Sequence, residues 1–206
     1  MMKKTLLIFT KNVIYGQVKT RLAATIGKDK ALEVYRKLLQ YTAVITNNIE
    51  VEKIVFYATQ IDDKDVWNND VYKKQVQVGY DLGERMENAF NYAFKQGSTE
   101  VIIIGSDCFE ITADIIKHAF DCLKNNEIVI GPATDGGYYL LAMKQLNPLL
   151  FKQINWSTNE VLTTTLAICH AQNLSVYLLP ELSDIDTEED LKKQETLINS
   201  IALQYD

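Results

Sequence analysis

Lys19 and Arg21 flank Thr20 in the stretch YGQVKTRLA, residues Tyr15 to Ala23, with Gly16 three positions before the lysine. A pliable backbone followed by two cations suits the phosphate chain of a nucleotide. The Walker pattern G-x-x-x-x-G-K-[ST] is absent, and a solvated basic loop is the plainer alternative. A second chemical group is Asp107, in GSDC, directly after Val101–Ile104, an unbroken β-branched run. Such a run reads as a strand buried on both faces. Open α/β sheets bind ligands just beyond the carboxyl ends of their strands, so a carboxylate there is placed to hold a metal ion or a phosphate-bearing substrate. A third group stands in LSDIDTEEDL, Leu182 to Leu191. Thr187 and Asp190 form a capping box that starts a helix. Asp184 and Asp186 precede it, and acids near a helix N-terminus typically contribute about 0.3–1 kcal/mol. The functional reading makes Asp186 a second carboxylate for an ion held by Asp107. Magnesium takes oxygen ligands, usually one or two carboxylates with phosphate oxygens and water.

Two further motifs bear on binding. In GYDLGERMENAF, Asp81 and Glu84 make a capping box, which leaves Arg85 to reach the same cleft. In GPATDGGYYLLA, a strand ends at Gly131-Pro132, and Asp135 then meets Gly136 and Gly137. Adjacent glycines allow a close approach of backbone to ligand, or a tight turn into the next strand; a substrate-binding turn is favoured. Asp184-Ile185-Asp186-Thr187 also comes near the phosphatase signature D-x-D-x-T, with its threonine one position early. That motif belongs after a first strand with a domain following, and only about 20 residues remain here. His118 and His170 fall on expected helices away from these loops. Cys108 lies beside Asp107 without a base to activate it.

The elements that must position these groups alternate along the chain. Strands are expected at Thr5–Phe9, Lys53–Ala58, Gln75–Val78, Val101–Ile104, Ile128–Ile130, Tyr138–Met143 and Ser175–Leu179. Helices are expected at Asp29–Thr46, Leu82–Phe94, about Thr112–Leu123, Asn159–Ala171 and Glu188–Ile201, with Gly97 placed to stop the second. The alternation predicts a single α/β domain over residues 1–206, with a mainly parallel sheet between two helical layers.

Composition narrows the partners. The hydrophobic fraction of 47% and charged fraction of 23% are ordinary for a globular chain. A net charge of −6 opposes nonspecific nucleic-acid binding. Cys108, Cys122 and Cys169 are odd in number and lack C-x-x-C spacing, which fits neither a disulfide framework nor a zinc site and suits a reducing cytoplasm. The opening MMKKTLLIFTK is superficially like a secretion signal, but its apolar run is too short. No stretch approaches the roughly 20 apolar residues of a membrane span.

Four motifs in this order, GQVKTRL, GSDC, GPATDGGYYLLA and DIDTEEDL, resemble the GT-A, Rossmann-like fold of nucleotide-diphospho-sugar transferases and sugar- or cofactor-nucleotidyltransferases. Within it, VKTRL, DLGERM and DGGYYL look like a small bacterial transferase family found beside radical-SAM and selenium-related genes and labelled as glycosyltransferases. The resemblance spans nearly the whole chain. It implies nucleotide phosphates near Gly16, Lys19 and Arg21, a Mg²⁺ or Mn²⁺ ion at Asp107 and Asp186, and donor or acceptor near Asp135, Gly136 and Gly137. Asp107, Lys19 and Arg21 would carry the catalysis, with Arg85 also binding substrate. The chain departs from the family in lacking prolines in FTKNVIYGQVKTRL and in having Phe109 where a proline follows GSDC. The implied partner is a nucleotide or nucleotide sugar. Glycosyl and nucleotidyl transfer both remain open: the lone aspartate of GSDC, in place of a D-x-D pair, leans to nucleotidyl transfer, and the family label leans to glycosyl transfer. The alternative is a nucleotide-binding module without turnover.

Overall fold

Strand β1 (Lys4–Thr10) opens the chain and is followed by α1 (Thr20–Ile26), α2 (Lys28–Asn47) and β2 (Glu52–Tyr57). Then come β3 (Tyr72–Val76), α3 (Leu82–Lys95), β4 (Glu100–Gly105), α4 (Ala113–Cys122), β5 (Ile128–Pro132) and β6 (Tyr138–Met143). A 3₁₀ turn at Pro148–Phe151, α5 (Val161–Ala171) and β7 (Val176–Leu178) complete the series. The computed structural model describes residues 3–194, of which 188–194 are helical. The remainder of the closing helix expected to run to Ile201 lies outside the described residues.

The seven strands form one sheet in the order β3-β2-β1-β4-β6-β5-β7. All neighbours are parallel except β6, which runs antiparallel to both β4 and β5. The chain winds outward from β1 to β3 and then returns to place β4 on the other side of β1, so the β1/β4 junction is where the winding reverses. Crevices at such switch points are the binding sites of open α/β sheets. Register pairs Phe9 with Gly105, which brings Thr10 and Ser106 to one edge.

Alternating side chains sort the core into two layers. Leu6 and Ile8 of β1 pack with Tyr35, Leu39, Ile116 and Phe120 of α2 and α4. Leu7 packs on the opposite face with Met86, Phe90 and Ala93 of α3 and Cys169 of α5. The result is the expected three-layer α/β/α arrangement.

Capping explains where helices begin. Asp81 Oδ1 accepts from Glu84 N at 2.8 Å, and Glu84 Oε2 accepts from Tyr80 N at 2.8 Å, so α3 starts at Leu82. Gly97, at φ 84°, lies just past its end. Other boundaries differ from expectation. β3 begins at Tyr72, three residues before the expected Gln75, because Lys73 and Lys74 interrupt the apolar pattern without interrupting the strand. Lys74 pairs with Asp65 at 2.8 Å and Lys73 with Glu52, and charge of this kind is suited to an edge strand. The short helix α1 falls where a loop was expected, and α5 starts at Val161 rather than Asn159. Among the described residues no helix is long and apolar enough to cross a membrane.

Candidate functional site

A third, smaller apolar cluster lies outside the two main layers: Leu22 of α1, Ala31 and Leu38 of α2, Phe109 and Ile185. Three of these residues are sequence neighbours of the charged groups singled out above. Leu22 follows Arg21, Phe109 stands two positions after Asp107, and Ile185 separates Asp184 from Asp186. Burying the three anchors together therefore draws their polar neighbours to one place. Phe109 is 1% exposed, and its ring lies 4.3 Å from that of Tyr41. Backbone bonds tighten the same junction. Ile185 N donates to Asp107 O at 3.4 Å, and Ser183 N donates to Glu110 Oε2 at 2.7 Å.

Lys19 completes the convergence. Its ammonium donates to Asp107 Oδ2 at 3.1 Å and to Asp186 Oδ1 at 2.9 Å. The lysine side chain is only 4% exposed, whereas those of Asp107 and Asp186 are 40% and 44% exposed. The cation is thus enclosed behind two carboxylates that remain open to the cleft. Lys19 also holds a left-handed backbone, φ 46° and ψ 48°, at the N-cap of α1. That conformation costs an L-residue about 1–2 kcal/mol, and strain of this sort persists where surrounding contacts impose it. Burial alone would lower the lysine pKa, but the charges of Asp107 and Asp186 outweigh it and hold the ammonium above its ordinary value. Burial likewise works to raise Asp186, and Lys19 outweighs it, keeping that carboxylate below the usual range. Arg21, largely exposed, stands with Nη1 4.0 Å from Asp186 Oδ2.

Asp184 behaves differently. Its Oδ1 is enclosed without a hydrogen-bond partner, and burial followed by the negative charge of Asp107 pushes its pKa up to about 8. It therefore carries a proton over much of the ordinary pH range. Cys108 is buried too; burial and then Asp184 push its thiol up, so it is not a poised nucleophile.

These groups form one end of a cavity of about 720 Å³ at the β1/β4 switch point. Lys19, Arg21, Arg85, Asp107, Asp135, Gly137 and Asp186 all line it, whereas Gly16 and Gly136 are not part of its wall. Gly16 instead turns the chain at φ 72°, with Gln17 N bonded to Ile14 O at 3.0 Å. Arg85 is held by Nε donating to Gly79 O at 3.0 Å. At Gly105, a Cβ would lie 2.8 Å from Asp107 Oδ1, so glycine there lets the carboxylate fold back over the strand end.

On the opposite wall, the Asp135–Gly137 turn was expected from the sequence, but Trp156 and Tyr138 were not singled out. Trp156 packs on Gly83, where any Cβ would collide with the indole, and stands edge-on to Tyr138 at 6.5 Å between ring centroids. The Tyr138 hydroxyl is enclosed without a partner. Asp135 Oδ1 accepts from Gly137 N at 2.9 Å, and Gly136, at φ 87°, abuts the backbone of Asn159. Leu162 N donates to Gly136 O at 2.9 Å. The DGG stretch thus docks the turn that carries Trp156. A lone tryptophan amid Ser157, Thr158 and Asn159 was the available signal for this wall.

Among the described residues no group of three or more His, Cys, Asp or Glu side chains converges to hold a metal ion. Two carboxylates do converge, each giving one oxygen to Lys19. A divalent ion that draws its remaining ligands from phosphate and water needs no more than this, so the donor set fits Mg²⁺ or Mn²⁺ in company with a nucleotide.

The profile of the bacterial family DUF2064, described as an uncharacterized protein conserved in bacteria, matches residues 41–158. Among curated proteins, none matches the chain in sequence. A crystal structure from Desulfovibrio desulfuricans G20, provisionally called a nucleotide-diphospho-sugar transferase, is 28% identical, with a TM-score of 0.85 over 97% of this chain and 98% of that one. CMP:2-keto-3-deoxy-manno-octonic acid synthetase, in complex with CTP, is 12% identical, with a TM-score of 0.60 over 96% and 99%. Rv0371C of Mycobacterium tuberculosis H37Rv, in complex with manganese, is 13% identical, with a TM-score of 0.53 over 93% and 97%. The last two likenesses are likenesses of fold.

Proposed function

The chain belongs to the bacterial DUF2064 family, and from that premise we propose that it is a transferase acting on a nucleotide-activated donor with the help of a divalent cation. The observation that carries this reading is the meeting of Asp107 and Asp186 around Lys19 at the sheet's switch point. The nucleotide-sugar transferase name of the Desulfovibrio relative and the CTP bound by a protein of the same fold support it.

Asp107 and Asp186 would hold Mg²⁺ or Mn²⁺. The chemistry such an ion supplies when bound is neutralisation of charge on phosphate oxygens. Lys19 and Arg21 serve the same end from the protein side. They are cations on the wall of the cleft, so when they meet the phosphates they stabilise charge on the leaving group. Arg85 faces the cleft from α3 and adds a planar donor for phosphate. In nucleotidyl transfer an acceptor oxygen bonds to the α-phosphorus as the bond to pyrophosphate breaks. In glycosyl transfer the acceptor bonds to the sugar carbon and a nucleoside diphosphate leaves. Both put a departing pyrophosphate linkage at the same carboxylates.

A thermal-shift panel of nucleoside triphosphates and nucleotide sugars, with and without Mg²⁺ and Mn²⁺, tests the reading. A ligand at 100 times its Kd should stabilise the protein by about 2.7 kcal/mol, and only when the ion is present. The donor class follows from which compounds stabilise. Product analysis with the stabilising compound then separates turnover from binding alone. No stabilisation by any nucleotide in either ion would overturn the proposal.

A further inference from the structure

We infer that Lys19 is the built-in counter-cation of the Asp107–Asp186 pair, so that a divalent ion gains these carboxylates readily only together with a phosphate ligand that takes over the lysine. The inference rests on the reading of this cleft as a metal–nucleotide site and concerns the order in which that site fills.

Both carboxylates spend one oxygen on the same ammonium, at 3.1 and 2.9 Å. A divalent ion brought to the pair would stand close to a fixed positive charge and be repelled by it. The ammonium cannot simply step into water: its side chain is 4% exposed, and a buried charge that loses its partners is costly. It needs another acceptor within the cleft. A phosphate chain provides one, since its oxygens accept from an ammonium and ligate a hard cation at once. The backbone supplies a means of movement. Lys19 is held left-handed at the N-cap of a short helix, and releasing its head group lets that conformation relax. Arg21, 4.0 Å from Asp186 and exposed, remains as the second cation of the pair. Because coupling free energies are reciprocal, the phosphate ligand must tighten the ion by the same factor as the ion tightens the phosphate.

The test is Mn²⁺ titration followed by electron paramagnetic resonance, on the wild type and on Lys19→Met, with Mn²⁺ alone and with inorganic pyrophosphate as the phosphate probe. Removing a charged hydrogen-bonding partner should improve the affinity for Mn²⁺ alone by about tenfold or more. The gain from pyrophosphate should be large in the wild type and much smaller in the variant. A variant that binds Mn²⁺ no more tightly than the wild type overturns the inference while leaving the metal–nucleotide site intact. If neither protein takes up Mn²⁺ under either condition, the underlying functional reading falls too. Should Lys19→Met fail to fold, the wild type alone decides: equal Mn²⁺ affinity with and without pyrophosphate overturns the inference.

Discussion

On the Lys19 wall of the cleft, charged side chains from three distant segments are held against one another, and a buried apolar cluster behind them does the holding. On the Trp156 wall, turns and backbone contacts set the groups: Asp135 closes on its near neighbour Gly137, and Gly136 rests against the backbone of Asn159. The first wall depends on long-range packing and responds to pH and to competing cations. The second depends on shape. A defect in packing should therefore unmake the charged wall, whereas only a change in bulk should disturb the aromatic one.

The largest effect that would sharpen this contrast is expected from Phe109→Ala. Truncating a fully buried aromatic typically costs about 3–5 kcal/mol. Here it also loosens the anchor between Asp107 and Asp186, so urea melts and Mn²⁺-pyrophosphate binding should both suffer. Retained binding in a destabilised protein would show that the anchor does not position the carboxylates. Gly136→Ala probes the other wall. It places a Cβ at positive φ against the Asn159 backbone, and a loss of about 2–3 kcal/mol is expected, with Mn²⁺-pyrophosphate affinity unchanged. A loss of that affinity would mean that the walls are coupled.

Asp184→Asn should reveal the charged wall through pH. The folded chain keeps a proton on Asp184 up to about 8, whereas the unfolded chain loses it near an ordinary pKa of about 4. Between those values the folded state binds more protons, so wild-type stability falls as pH rises through the window. Measured in EDTA, the variant should gain on the wild type by up to about 1.4 kcal/mol per pH unit through that window, being close to it near pH 4 and the more stable protein above pH 8. A constant difference across the range would remove Asp184 from the electrostatic cluster. The smallest effect belongs to Asp135→Ala, which deletes one turn hydrogen bond and should cost about 1 kcal/mol. A far larger loss of activity than of stability would assign Asp135 a direct part in binding substrate.

The same contrast explains what could be read from the chain in advance. Val101–Ile104, the Asp81–Glu84 cap and the Thr187–Asp190 cap are local patterns, and each is visible as such; Asp190 Oδ2 does accept from Thr187 N at 2.9 Å. Strand β3 was misplaced because Lys73 and Lys74 mask it. Helix α1 was missed because a strained lysine begins it and no capping side chain announces it. That Lys19 would stand between Asp107 and Asp186 could not be seen, since each was sensible alone as a phosphate contact or a metal ligand. Their meeting depends on Leu22, Phe109 and Ile185, three residues whose only local signature is being apolar. Trp156 and Tyr138 went unassigned for a similar reason: an aromatic in a polar turn does not say what it covers.

The bond between Lys19 and Asp186 spans 167 positions of chain, and that between Lys19 and Asp107 spans 88. Contacts of such separation carry loop-closure entropy that helices and neighbouring strands do not, and they slow the search for the native state. During synthesis the β1–β4 scaffold can assemble well before Asp186 has left the ribosome. The cleft then gains its last carboxylate as a late event, so an incompletely made chain would possess the scaffold and its cations without the partner that completes the Lys19 ion pairs.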